Sequence, residues 1–351
     1  MEIIKILERA VADRASDIFI IAGGPVSEKQ EGRIHPMGEE RLMPPDTKEL
    51  ISQIYQLAER SMEPYLQHGD DDFSFAVSGL ARFRVNAYRQ RGSLAAVVRV
   101  VSFSIPDWEQ IHIPQRIMDL AQCGHGMILM TGTAGSGKST TQACLIDRIN
   151  RTRDCHIITL EDPIEYLHRN QRSIVSQREI AVDTADYLSA LRACLRQAPD
   201  VILLGEMRDP ETIRTTITAA ETGHLIIATL HTKGAINAID RIIDTFPSSH
   251  QAQIRMMLSM VLQTVVCQQM LPDKSGGVVP AFEVMHMNSA IRGLIRDNKS
   301  HQISNVMAAS GKEGMITMDQ AILELYREGR ITKETALNYA DAPDLIRRQL
   351  N

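Results

Sequence analysis

The sequence predicts an α/β protein in two parts, a small α+β domain followed by a larger domain built on a parallel sheet. Three observations carry this. Between residues 70 and 101 the runs "FSFAV", "ARFRVNAYRQ" and "LAAVVRVV" are joined by the turn pairs Ser78-Gly79 and Arg91-Gly92, the pattern of an antiparallel meander. After residue 115, apolar runs of four to seven residues alternate with helical segments, which implies a parallel sheet covered on both faces. Between them, "SFSIPDWEQIHIP" holds two prolines and no sustained periodicity, so a linker at 102–115 separates domain 1–101 from domain 116–351.

In chain order, the first domain opens with an amphipathic helix over about 2–13, then a strand at "DIFII", a helix over about 47–60 and the three meander strands. The second runs "GMILMTG", a helix from Lys138, "CHIITLED", a helix near 185–197, "VILLGE", a helix from Pro210, and "HLIIATLH". Asp209 is placed to cap the helix that begins at Pro210, and Gly223 to close it. Ser248 and Gln251 predict a capping box for one long helix, "SSHQAQIRMMLSMVLQTVVCQQML",. From about 288 to 351 the chain reads as short helices.

Composition narrows the function classes. The 351 residues are 44% apolar and 23% charged, ordinary for a globular protein. No apolar run reaches spanning length, and the N-terminus lacks a signal-peptide core, so a cytoplasmic protein is expected. The five cysteines are scattered without a C-x-x-C pair, which argues against a disulfide framework or a zinc knuckle. A net charge of -5 and 4% aromatic residues argue against a nucleic-acid partner.

The chemistry begins at "GTAGSGKST", Gly132-Thr133-Ala134-Gly135-Ser136-Gly137-Lys138-Ser139-Thr140, which fits G-x-x-x-x-G-K-[ST] between a strand and a helix. Gly135 and Gly137 let backbone amides turn toward the phosphates of ATP, aided by the helix N-terminus. Lys138 would bridge the β- and γ-phosphates, and the Ser139 hydroxyl would bind Mg²⁺. In "VILLGEMRD" a glycine, Gly205, stands where a strand-end aspartate is usual, followed by Glu206, placed to orient or deprotonate the attacking water. In "ITLEDPIEY" the carboxylates Glu161, Asp162 and Glu165 follow another apolar strand, and a Mg²⁺ site would relieve their repulsion. Glu161 and Glu165 are the metal candidates beside Ser139, and Glu165 is also a catalytic one. His224 and His231 end one strand more than about 20 Å apart when extended. Only His231 lies at the edge where open α/β sheets hold ligands. His224 is placed to serve the helix end or an interface. Arg82 and Arg84 alternate along one strand, share a face, and expect an anion such as the nucleotide.

Together these motifs resemble the secretion-type hexameric ATPases and, within them, the type IV pilus retraction branch. The likeness extends from "RASDIFI" to the C-terminal helices, where "AIRGLIR" (290–296) is close to the retraction signature AIRNLIR. It departs at Phe19, where a histidine is usual, and at Gly293, where an asparagine is. The resemblance implies a PAS-like first domain, a RecA-like second domain and nucleotide held between them in a homohexamer. It implies functional roles for His231 and, to a lesser degree, His224. The implied partners are an inner-membrane pilus platform protein and a paralogous retraction ATPase, with the motor peripheral to the inner membrane. The extension ATPases of the same class carry a tetracysteine segment that "QQMLPDKSGGVVPAFE" lacks. An accessory paralogue or an ATPase of another secretion apparatus remains a second reading, and a RecA-like nucleic-acid translocase a third from another class.

Overall fold

Helix α1 (Ile3–Ala12) forms where Ile3, Ile6, Leu7 and Ala10 recur at three- and four-residue spacing, and all four are buried,. The computed structural model describes residues 2–30, 32–101 and 104–350. It divides into two compact units, Met1–Ser104 with Glu165–Leu167, and Ile105–Ile164 with His168–Asn351.

The first unit continues with β1 (Asp17–Ile20), β2 (Ser27–Gln30), β3 (Arg33–Pro36), α2 (Pro44–Leu57), α3 (Glu63–His68), β4 (Asp70–Val77), β5 (Ala81–Gln90) and β6 (Ser93–Val101). Its sheet runs β3-β2-β1-β6-β5-β4 with every neighbouring pair antiparallel. The β5–β6 turn has φ of 48° at Arg91 and 79° at Gly92. Positive φ at both central residues matches the twist of the flanking strands. Alternation in β5 buries Phe83 and Val85 and turns Arg82 and Arg84 to the other face,.

The second unit holds α4 (Gln115–Met118), β7 (Gly126–Thr131), α5 (Lys138–Thr152), β8 (His156–Glu161), β9 (Ile174–Glu179), α6 (Tyr187–Cys194), β10 (Val201–Leu204), α7 (Pro210–Glu221) and β11 (Leu225–Leu230). It continues with α8 (Ala235–Asp244), α9 (Ser248–Val261), β12 (Leu262–Pro272), β13 (Val278–His286), α10 (Ser289–Arg296), α11 (Ile303–Ala309), α12 (Met318–Arg327), α13 (Lys333–Tyr339) and α14 (Pro343–Gln349). The sheet order is β13-β12-β7-β11-β10-β8-β9. All pairs are parallel except the last hairpin, β12 with β13. Strand β7 shows why both faces are apolar. Met127 and Leu129 enter one core with α6 to α10, while Ile128 and Met130 enter the other with α5 and α12,.

One long element is corrected. The helix expected over 248–271 ends at Val261, and Leu262–Pro272 is strand. The apolar residues Ile254, Leu258, Val261, Leu262 and Val265 keep a helical spacing across the break. The β-branched run Thr264-Val265-Val266 nevertheless pairs with β7 on one side and β13 on the other, and two ladders of backbone hydrogen bonds outweigh the local period. The capping box is also absent. Pro247 leads into α9, and Gln251 Nε2 donates instead to the Phe246 carbonyl at 3.1 Å. Asp209 does cap α7, accepting from the Thr212 amide at 2.9 Å.

Candidate nucleotide-binding site

Strand β7 is buried along its length and delivers Thr131 to the sheet's C-terminal edge, where the glycine loop begins. Gly132 has φ 139°, and a Cβ there would sit 2.3 Å from the Gln268 carbonyl and 2.7 Å from Ser136 Oγ. Gly137, at φ 84°, would place a Cβ 2.9 Å from Gln268 Nε2. Gly135 has open space around it but φ 75°, so there glycine is required by conformation alone. The loop is thus a cradle that side chains would fill. Its apex, Thr133, Ala134 and Gly135, is exposed, while Ser136 and Lys138 are buried. The Lys138 ammonium donates to the carbonyls of Gly132 at 2.9 Å and Thr133 at 2.8 Å. Ser139 and Thr140 stand half-buried in the first turn of α5, where free amides favour an anion,.

The opposing wall comes from the neighbouring strands. Because β11 lies between β7 and β10, the tips of β7 and β10 are about 10 Å apart, two strand spacings. After β10, the Gly205 amide donates to the Leu160 carbonyl at 2.8 Å. A Cβ at Gly205 would meet Tyr187 Oη at 2.7 Å and the Leu160 carbonyl at 3.1 Å. An aspartate does not fit here, so the acid is moved one residue on. Glu206 carries it, pairing through Oε1 with Arg208 and lying 3.7 Å through Oε2 from His231 Nε2. That carboxylate holds the Arg208 guanidinium more firmly protonated than usual. Burial first, then the charge of Glu206, pushes the Tyr187 hydroxyl upward.

The fold therefore brings the P-loop, Glu206 and His231 to one edge of one sheet. Glu161 reaches the same edge on β8, where its Oε1 accepts from Thr159 Oγ1 at 2.6 Å and Gln177 Nε2 at 3.2 Å. Asp162 and Glu165 are exposed, and Glu165 groups with the N-terminal unit. Among the described residues no three His, Cys, Asp or Glu side chains converge as a metal cage. His224, a catalytic candidate also placed to serve the helix end, lies at the opposite end of β11 from His231. It stands at the start of β11, beside Gly126 rather than the loop, and its Nδ1 lies 2.9 Å from the Ala219 carbonyl of α7. Arg82 and Arg84 stand on β5 of the other unit.

A family model for type II/IV secretion system proteins matches residues 2–275. The chain belongs to this family. Over 345 residues it is 39% identical to the type IV pilus retractation ATPase PilT of Pseudomonas aeruginosa, covering 98% of this chain and 99% of that protein. It is also 39% identical over 348 residues to the type IV pilus ATPase PilU of the same organism, covering 99% and 91%. A crystal structure of the pilus retraction motor PilT with bound ADP has a TM-score of 0.90 and 44% identity, covering 99% of both chains.

Two contributors to this secretion-family site were not legible as such in the sequence. Gln268 lies in the segment read as helix, yet its backbone presses on Gly132 and its Oε1 accepts from Thr141 Oγ1 at 2.8 Å. Only the "TVV" run hinted at a strand there. Arg208 was visible beside Glu206, but their pairing depends on the turn after β10.

Proposed function

We propose that this secretion-family chain is an ATP-hydrolysing motor for type IV pilus retraction, working as a homohexamer against an inner-membrane platform protein. The observation that carries the reading is the placement of Glu206 and His231 opposite the P-loop, in a chain alike from end to end to PilT. The glycine loop, with no room for side chains at Gly132 and Gly137, and its buried ammonium fit a polyphosphate,. Loop amides from Gly132 to Thr140 hold the phosphates, Lys138 neutralises their charge, and the Ser139 hydroxyl would hold Mg²⁺. An ion of this kind takes only one or two protein ligands, so Glu161 at the β8 tip would be the carboxylate nearest to it beside Ser139. When bound, Mg²⁺ supplies charge neutralisation of the polyphosphate.

Glu206 takes the proton of the attacking water, whose oxygen bonds to the γ-phosphorus as the bond to the bridging oxygen breaks. Its pairing with Arg208 must loosen for that step, and His231 stands 3.7 Å from the second carboxylate oxygen. Arg82 and Arg84 supply further positive charge to the phosphates in the assembled ring. Among the described residues no helix is long and apolar enough to cross a membrane; the likeness to the pilus ATPases supports a motor that docks at the cytoplasmic face of the inner membrane.

Deleting the gene and counting surface pili tests this. Excess pili are expected; loss of pili would instead mean an extension motor. The equal identity to PilU supports a second reading, an accessory retraction motor. Unchanged pilus number with weakened retraction against load would favour it.

A further inference from the structure

A cavity of about 270 Å³ lies beside Glu206, between α7 and α8, and no residue of the glycine loop lines it. Its polar wall is Glu206, Arg208, His231, Thr232, Arg241 and Thr245, over a floor that includes Met207 and Leu230. Two features of that wall are not used by the chemistry described above. The Thr232 hydroxyl oxygen is buried without a hydrogen-bond partner. Among the described residues, the Arg241 guanidinium has no carboxylate partner, although the neighbouring Thr245 hydroxyl is satisfied by the Arg241 carbonyl at 2.7 Å. A buried hydroxyl and a guanidinium facing one space of this size fit a small oxyanion.

We propose that this cavity is a transient site for the inorganic phosphate released by hydrolysis, separate from the nucleotide cradle. The proposal rests on the assignment of Glu206 to the hydrolytic step. Before that step Arg208 is engaged by the Glu206 carboxylate, and Arg241 alone is left to draw an anion. Hydrolysis adds the water oxygen to the γ-phosphorus, breaks the bond to ADP, and leaves the water proton on Glu206. The carboxyl is then neutral, so it no longer repels an anion and no longer holds Arg208. Phosphate is made at the moment when Arg208 and Arg241 are both available to it. At roughly 30 Å³ per water, the cavity also has room for hydrating waters. Departure by this route spares ADP from leaving first, since the loop that holds ADP takes no part in the cavity.

The test is calorimetric titration of inorganic phosphate into the full-length, ADP-loaded protein. Wild type is expected to bind phosphate saturably. Arg241→Ala, at an exposed position, should weaken that binding at least about tenfold, the worth of one charge-assisted hydrogen bond. Thr232→Val keeps the shape and should weaken it about threefold, the worth of a neutral one. Arg241→Lys should restore part of the loss. No phosphate binding to the wild type, or equal affinity in all four proteins, overturns the proposal. Glu206→Gln separates the two readings. If that variant hydrolyses ATP normally, the hydrolytic assignment fails. If it is inactive while phosphate affinity ignores Arg241 and Thr232, only the phosphate site fails.

Discussion

Gly205 and Glu206 show how a single Cβ decides where an acid can stand. With Tyr187 Oη and the Leu160 carbonyl in the way, Gly205→Ala is expected to destabilise the protein by about 1–3 kcal/mol, the usual cost of overpacking. Tyr187→Phe in the same chain should recover part of it, and thermal melting of the single and double variants reads the coupling. Glu206→Gln keeps the size of the side chain and removes the base. It should bind ATP normally and hydrolyse it at least about 100-fold more slowly; a near-normal turnover number would rule Glu206 out. Lys138→Ala should instead lose nucleotide affinity, seen as weakened binding of a fluorescent ATP analogue. Glu206 and Lys138 were legible because their neighbours are diagnostic. The roles of Tyr187 and Gln268 were not, since both act from elements far away in sequence.

At the scale of elements, the end of α9 is the informative place. The helix stops at Val261, and Arg292 of α10 donates to the Met260 carbonyl at 3.0 Å and to the Ser259 carbonyl. Arg292 is thus one of the residues that close the helix whose end the sequence did not mark. Burial and the nearby Arg296 make its guanidinium easier to deprotonate than a free one, without removing its charge. Arg292→Ala should lower stability by about 1–3 kcal/mol, because two carbonyls lose a charged donor. Urea denaturation measures it, and an unchanged midpoint would show that water replaces the guanidinium without cost. In the rest of the signature helix, Ile291 and Ile295 are fully buried and Leu294 packs partly against the same core.

Across the whole molecule, distant segments are tied through buried polar groups. Glu283 on β13 accepts from the Ala235 amide at 2.6 Å and the Met318 amide at 3.3 Å, so one carboxylate meets the N-termini of α8 and α12,. His168 reports on global stability in another way. Its half-buried ring has an unpartnered Nδ1, and burial pushes its pKa down to about 4. The unfolded chain binds a proton at this residue near pH 6.5, and the folded one resists it down to about 4. Its contribution is therefore intact above pH 6.5 and is lost as pH falls from there toward 4. His168→Gln should flatten that part of the pH–stability curve. Melting temperatures at pH 7 and pH 5 for both proteins check it, and an equal drop in each would assign the acid sensitivity elsewhere.

Local chemistry was enough to place the P-loop, the cap of α7, the meander and the acid after β10, because each depends on residues adjacent in the chain. Glycine at positive φ, a capping aspartate and strand alternation act over a few residues and leave their mark there. The strand after α9 was decided by tertiary structure, since its apolar spacing suits a helix equally well and only the open edge of β7 selects the extended form. The same holds for the fate of the two histidines on β11. The sequence shows that they lie at opposite ends, but the pairing of β11 between β7 and β10 is what sets His231 against Glu206 and His224 against a helix end. Long-range pairing carries no local signature, because its free energy comes from partners that meet only when the sheet closes.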